Sequence, residues 1–181
     1  PFMLVQLVIF SPVILAVLEA TRGNQGGGLR AIARALSNPI IIASLLGFAF
    51  ALLRVPVPQI VLEPIGMIGA AAIPMILLSF GISLHGQRAL APGSGRRVVL
   101  AATGLKVLAM PALAWALALA FGLPPHETFV ATTIAALPTA QNVYNYAATY
   151  RKAETIVRDT VFLTTFASLP VIAAVAWLFA A

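Results

Sequence analysis

Hydrogen-bonding side chains are concentrated in one stretch of the chain, directly after a proline. Residues 132–146 begin with the composition of a membrane span and become polar after Pro138. The polar residues there are Thr139, Gln141, Asn142, Tyr144, Asn145 and Tyr146. Gln141, Tyr144 and Asn145 stand at i, i+3 and i+4 and share one face of a helix. Because amides both donate and accept hydrogen bonds, this pattern suits a neutral or anionic polar ligand, a carboxylate in particular.

Pro138 should interrupt the helix that carries these side chains. Proline has no N–H, and its ring clashes with the carbonyl four residues earlier, here that of Ile134. In lipid the freed backbone groups need partners, so the break must face protein or a water-filled cavity. It also creates a helix N-terminus, whose free N–H groups carry partial positive charge and bind anions. The pattern therefore predicts a binding site at Pro138, with polar contact between helices as the alternative.

Lys106 is the one formal charge that lies well inside a predicted span. Its long side chain could reach the membrane surface and have no function, or it could take part in binding or coupling. We include it among the candidate residues. The predicted substrate-binding residues are Pro138, Thr139, Gln141, Asn142, Tyr144, Asn145 and Lys106. By contrast, Glu154 and Asp159 lie among basic residues and are predicted to form a solvated ion-pair loop.

The composition places these residues in a membrane protein. Of the 181 residues, 61% are hydrophobic and only 9% are charged, whereas soluble domains carry about 25% charged residues. The chain has no cysteine, which excludes disulfides and thiolate metal sites. It has no zinc-protease, serine-hydrolase or Walker-type motif. We therefore expect no enzyme activity, no cofactor and no metal.

Apolar runs predict an all-α, polytopic fold with six spans. The first lies within residues 1–19, and a glycine-rich loop follows at 20–37. The other five are predicted at about 38–53, 64–84, 98–121, 128–150 and 160–181.

Basic residues orient these spans. The loops at 19–37, 85–97 and 150–159 hold nine Arg and Lys residues, whereas those at 54–63 and 122–127 hold Arg54 alone. This asymmetry places the first set of loops in the cytoplasm and the C-terminus on the other side of the cytoplasmic (inner) membrane. The net charge of +6 is thus explained without nucleic acid as a partner.

Several features together resemble the auxin efflux carrier family, and its bacterial members in particular. They are Asn38-Pro39 at the start of a short span, a Gly/Ala-rich span that ends at 77–84, Lys106 ahead of Pro111, and Ala136-Leu137-Pro138. The resemblance covers about residues 38–180.

The resemblance implies a ten-helix carrier of two inverted five-helix repeats. The fourth helix of each repeat is broken at a proline, and the two breaks cross at the substrate site. Residues 38–181 would form the C-terminal repeat, and 1–19 the last helix of the preceding one, whose first four helices lie outside this chain. Spans 38–53 and 64–84 would form a scaffold against which the other three move as a transport domain.

The expected function is secondary transport of a small organic anion, auxin-like or malate-like, by alternating access. Clustered amides after Pro138 favour a smaller polar substrate over an aromatic one. The alternative is a membrane sensor or assembly module that does not transport and uses the polar stretch for helix packing. Expected partners are the anion, the lipid bilayer, the missing N-terminal repeat and a second copy in a homodimer.

Overall fold

The computed structural model of the chain describes residues 10, 13–14, 17, 37, 39–91, 93 and 95–180. Every long regular element in these ranges is helical, and they contain no strand. The predicted all-α fold is therefore confirmed. The predicted helix at 1–19 and loop at 20–37 fall almost wholly outside the described residues. The chain divides into two compact units, residues 1–70 and 71–181.

The described part of the first unit contains helix α1, Pro39–Leu52, and the beginning of α2, Gln59–Leu84. Pro39 opens α1, where its fixed φ suits the first helical turn. The connector at 55–58 is not helical, because each of its two prolines disfavours helix in the residue before it. α2 starts at Gln59, earlier than the predicted 64, since the carbonyl of Pro58 accepts hydrogen bonds from the N–H groups of Val61 and Leu62.

The second unit contains the remaining helices. They are α3, Arg96–Gly104, which continues through a π-helical segment, Leu105–Ala109, into α4, Met110–Ala120; α5, Pro125–Ala136; α6, Gln141–Tyr150; and α7, Glu154–Ala180. α4 packs along α5, and α7 contacts α3, the π segment, α5 and α6. α7 is therefore the helix around which this unit is assembled.

Three of the described helices are long and apolar enough to cross a membrane: Gln59–Leu84, Arg96–Ala120 and Glu154–Phe179. The 26 residues of α2 span about 39 Å, more than the hydrocarbon core of about 30 Å. Many of their large apolar side chains are exposed, among them Met67 and Trp177, each 75% exposed. Such a surface is unfavourable in water and favourable in lipid. The chain is accordingly a multi-pass membrane protein.

The prediction that residues 150–159 form a charged, solvated loop is wrong for the second half of that range. α7 begins at Glu154, so Arg158 and Asp159 belong to its first turns, and both are buried. One Asp159 carboxylate oxygen accepts bonds from Nε and Nη2 of Arg158 at 3.1 and 2.9 Å. The other accepts the backbone N–H of Leu90 at 2.9 Å. Burial is tolerated because the carboxylate is both paired and hydrogen bonded.

A small core joins the end of α2 to α6 and α7. Phe80, Tyr144 and Val161 are buried together. The rings of Phe80 and Tyr144 meet edge to face, with 5.4 Å between centroids. This packing holds α6 in place at its middle.

Candidate functional site

The backbone is not helical between Ala136, the last residue of α5, and Gln141, the first residue of α6. Leu137 is extended, with φ −58° and ψ 148°, as expected for a residue that precedes proline. Pro138 cannot donate to the carbonyl of Ile134, which instead accepts the N–H of Leu137 at 3.3 Å. The local geometry thus follows from the chemistry of one proline.

Two side chains from other elements satisfy two of the backbone groups that the interruption frees. In a continuous helix the N–H of Thr139 would donate to the carbonyl of Ala135. Here Nζ of Lys106 donates to the Ala135 carbonyl at 3.0 Å, and the Thr139 N–H donates to Oγ1 of Thr164 at 3.2 Å. The interruption is therefore held on one side by a cation and on the other by a hydroxyl.

Lys106 is positioned by the π-helical segment, which is in turn explained by a second proline. Pro111 has no N–H to offer the carbonyl of Val107, four residues earlier. The N–H of Met110 instead donates to the carbonyl of Leu105, a π-type bond. Single π turns inside α-helices are frequent at functional sites. Lys106 is half-buried, and its charge lies where the negative end of the α5 dipole favours a cation.

Thr164 is positioned by a row of hydroxyl groups along α7. Thr160, Thr164 and Ser168 are buried at spacings of four residues, on one face of the helix. The hydroxyl of Thr164 donates to the carbonyl of Thr160 at 2.8 Å, which leaves its oxygen free to accept from Thr139. Thr164 was not among the residues predicted from the sequence. Hydroxyls recurring every fourth residue in an apolar span were the available signal.

The first turn of α6 has no side-chain cap. Its N-cap residue is Ala140, in an extended conformation with φ −66° and ψ 139°, and alanine is among the poorest N-caps because it has no side-chain acceptor. Gln141 is half-buried and Asn142 is exposed, with Asn145 half-buried one turn further on. Amide side chains thus lie in the first two turns of a helix for which the described residues provide no side-chain cap.

Tyr144 is placed differently from the other predicted residues of α6. Its side chain is buried in the core with Phe80, and its hydroxyl donates to Oε1 of Glu154 at 3.1 Å. Tyr144 therefore joins α6 to the first turn of α7. Its assignment to a substrate site stays a prediction.

Two threonine hydroxyls, one in α3 and one in α5, are buried without a hydrogen-bond partner among the described residues. They belong to Thr103, one turn before Lys106, and Thr133, one turn before Ala136. Buried polar groups are usually satisfied, so each exception calls for an explanation. Both hydroxyls can still donate and accept.

Two open cavities lie elsewhere in the second unit. One, of about 260 Å³, is lined by Pro125, His126, Phe129, Ala176 and Phe179. The other, of about 540 Å³, lies between the 91–95 loop and residues 153–156. Neither is lined by a predicted site residue.

Thr164→Val is expected to lower the free energy of unfolding by about 1–3 kcal/mol, because the Thr139 N–H loses its acceptor while the side-chain shape is kept. Thermal unfolding of the full-length protein in detergent measures the effect. Thr165→Val is the matched control, since the Thr165 hydroxyl donates within its own helix, to the carbonyl of Val161. Equal losses in the two variants would contradict the assigned contact.

Comparison with known proteins identifies the family. A family model described as membrane transport protein matches residues 29–176. No curated protein and no solved structure matches the chain. The matched range contains all seven predicted site residues and most of the chain, and it confirms the resemblance drawn from the sequence. The chain belongs to the membrane transport protein family, which is that of the auxin efflux carriers.

Proposed function

We propose that the protein moves a small organic anion across the cytoplasmic membrane by alternating access, and that a carboxylate of the anion binds at the Pro138 break. Membrane transport follows from the family, which is not an enzyme family. The observation that carries the finer proposal is the N-terminus of α6, which lacks a side-chain cap and has amides in its first two turns.

Electrostatics favours an anion at this place. The N-terminus of α6 carries partial positive charge from its free N–H groups. The C-terminus of α5 carries partial negative charge, which would repel an anion. The Lys106 ammonium offsets that charge, because it donates a hydrogen bond to the Ala135 carbonyl there. Hydrogen bonds from amides and N–H groups to a carboxylate are charge-assisted and stronger than neutral ones.

The candidate residues then take distinct roles. Thr139, Gln141 and Asn142 offer donors at the start of α6, and Asn145 offers another from the next turn. Tyr144 holds α6 against α7. Lys106 donates one hydrogen bond to a carbonyl at the end of α5, and its ammonium has further N–H groups with which to contact the substrate. Short polar donors suit a malate-like mono- or dicarboxylate better than an aromatic, auxin-like one.

The rest of the carrier is proposed from the family resemblance. A preceding repeat would supply a second break that crosses this one, and the three spans after residue 97 would move against a scaffold formed by the spans at 38–53 and 64–84. The C-terminus would lie on the non-cytoplasmic side, and two copies would pair in the bilayer.

Uptake of labelled malate and malonate by proteoliposomes that contain the full-length protein tests the function. Saturable uptake is expected, with Asn142→Ala raising KM about tenfold, because one hydrogen bond to a charged group is lost. Thr149→Ala is the control, since Thr149 is an exposed polar residue on the same helix. No carboxylate uptake by the wild-type protein would contradict the function, and an unchanged KM in Asn142→Ala would contradict the site.

A further inference from the structure

We propose that the Lys106 ammonium is a tethered counter-ion that occupies the cation position at the carbonyl end of α5, so that this half of the transport site binds no monovalent metal cation. This inference rests on the proposed function, because it specifies what accompanies the anion at the Pro138 break.

A broken helix in a membrane exposes two kinds of backbone group. The N-terminal end attracts anions, whereas the carbonyls at the C-terminal end coordinate Na⁺ or accept protons in carriers. A cation-coupled carrier would therefore leave the carbonyls at the end of α5 open to a metal ion. Here the Ala135 carbonyl already accepts a hydrogen bond from Nζ of Lys106 at 3.0 Å.

No acidic side chain among the described residues pairs with Lys106. Its ammonium donates to a backbone carbonyl, and the buried acid of this unit, Asp159, is paired with Arg158. Glu154 accepts the Tyr144 hydroxyl, and Glu127 is exposed in the first turn of α5, at the opposite end of that helix. The positive charge is thus free to balance the α5 dipole and a bound carboxylate.

The described residues also lack the ligands of an alternative metal site. They contain no group of three His, Asp or Glu side chains that could hold a metal ion. A monovalent cation at the break would depend on the backbone carbonyls at the end of α5. Removing the ammonium should therefore convert the end of α5 into a weak Na⁺ site.

Thermal unfolding of the full-length protein in detergent, titrated with NaCl against choline chloride at constant ionic strength, tests this inference. The wild-type midpoint should show no saturable dependence on Na⁺. Lys106→Met should gain one, with a midpoint that rises with NaCl and then levels off. Lys106→Arg keeps the charge and should stay insensitive. Lys152→Met removes the other lysine of the chain, which is exposed, and should behave as the wild type.

A folded Lys106→Met protein whose response to Na⁺ does not exceed that of the wild type would overturn the inference. If that variant folds only in NaCl, the inference is supported. If it folds in neither salt, Lys106→Gln, which keeps an N–H donor without the charge, decides by the same criterion. Malonate added in choline chloride reports separately on the proposed function: a midpoint that malonate leaves unchanged counts against anion binding and not against the role of Lys106.

Discussion

Pro138→Ala is expected to give a folded protein whose carboxylate uptake falls about a hundredfold. Alanine restores the missing N–H and favours a continuous helix by about 3 kcal/mol, which corresponds to about two powers of ten in population. The Thr139 N–H and the Ala135 carbonyl would then bond to each other, and Lys106 and Thr164 would lose their partners at the break. The N-terminus of α6, the proposed carboxylate site, would no longer exist.

Uptake per folded protein in proteoliposomes measures this effect, with folding checked by thermal unfolding. Pro170→Ala is the matched control, because Pro170 lies inside α7 without interrupting it and has apolar neighbours. That variant should transport at close to the wild-type rate. Wild-type uptake by Pro138→Ala would show that the interruption is not needed for transport.

Asp159→Ala is expected to lower the free energy of unfolding by about 3–5 kcal/mol, because it leaves the Arg158 guanidinium buried without a counter-ion. It also removes the acceptor of the Leu90 N–H, and with it a link between residues 69 positions apart in the chain. Thermal unfolding in detergent gives the size of the loss. Glu127→Ala removes an exposed carboxylate and should cost no more than about 1 kcal/mol.

Two further variants separate the contribution of the Arg158–Asp159 pair to stability from that of the Leu90 backbone. Arg158→Met combined with Asp159→Leu should recover much of the loss, since replacing both partners of a buried pair by apolar residues leaves no unpaired charge. Leu90→Gly should raise the free energy of unfolding by about 1 kcal/mol, because Leu90 has a left-handed backbone with φ 58°. A double variant no more stable than Asp159→Ala would contradict the pairing.

Local chemistry explains which features could be predicted from the sequence. Pro39 opens α1, and Pro138 lies between α5 and α6, because a missing N–H and a fixed φ act on the neighbouring residues whatever surrounds them. The start of α7 was predicted too late. A charged segment read alone indicates solvent exposure. Here the pairing of Asp159 with Arg158, together with the hydrogen bond from the distant Leu90 N–H, makes its burial tolerable.

The sequence by itself determined the all-helical membrane class, the polar stretch after Pro138 and the presence of a charge at Lys106. Tertiary structure alone decided the partners: Lys106 meets a carbonyl 29 residues away, Thr164 meets an N–H 25 residues away, and Tyr144 lies in the core. The reason is physical. A proline dictates that backbone groups are freed, but helix packing decides which distant side chains come within hydrogen-bonding distance of them.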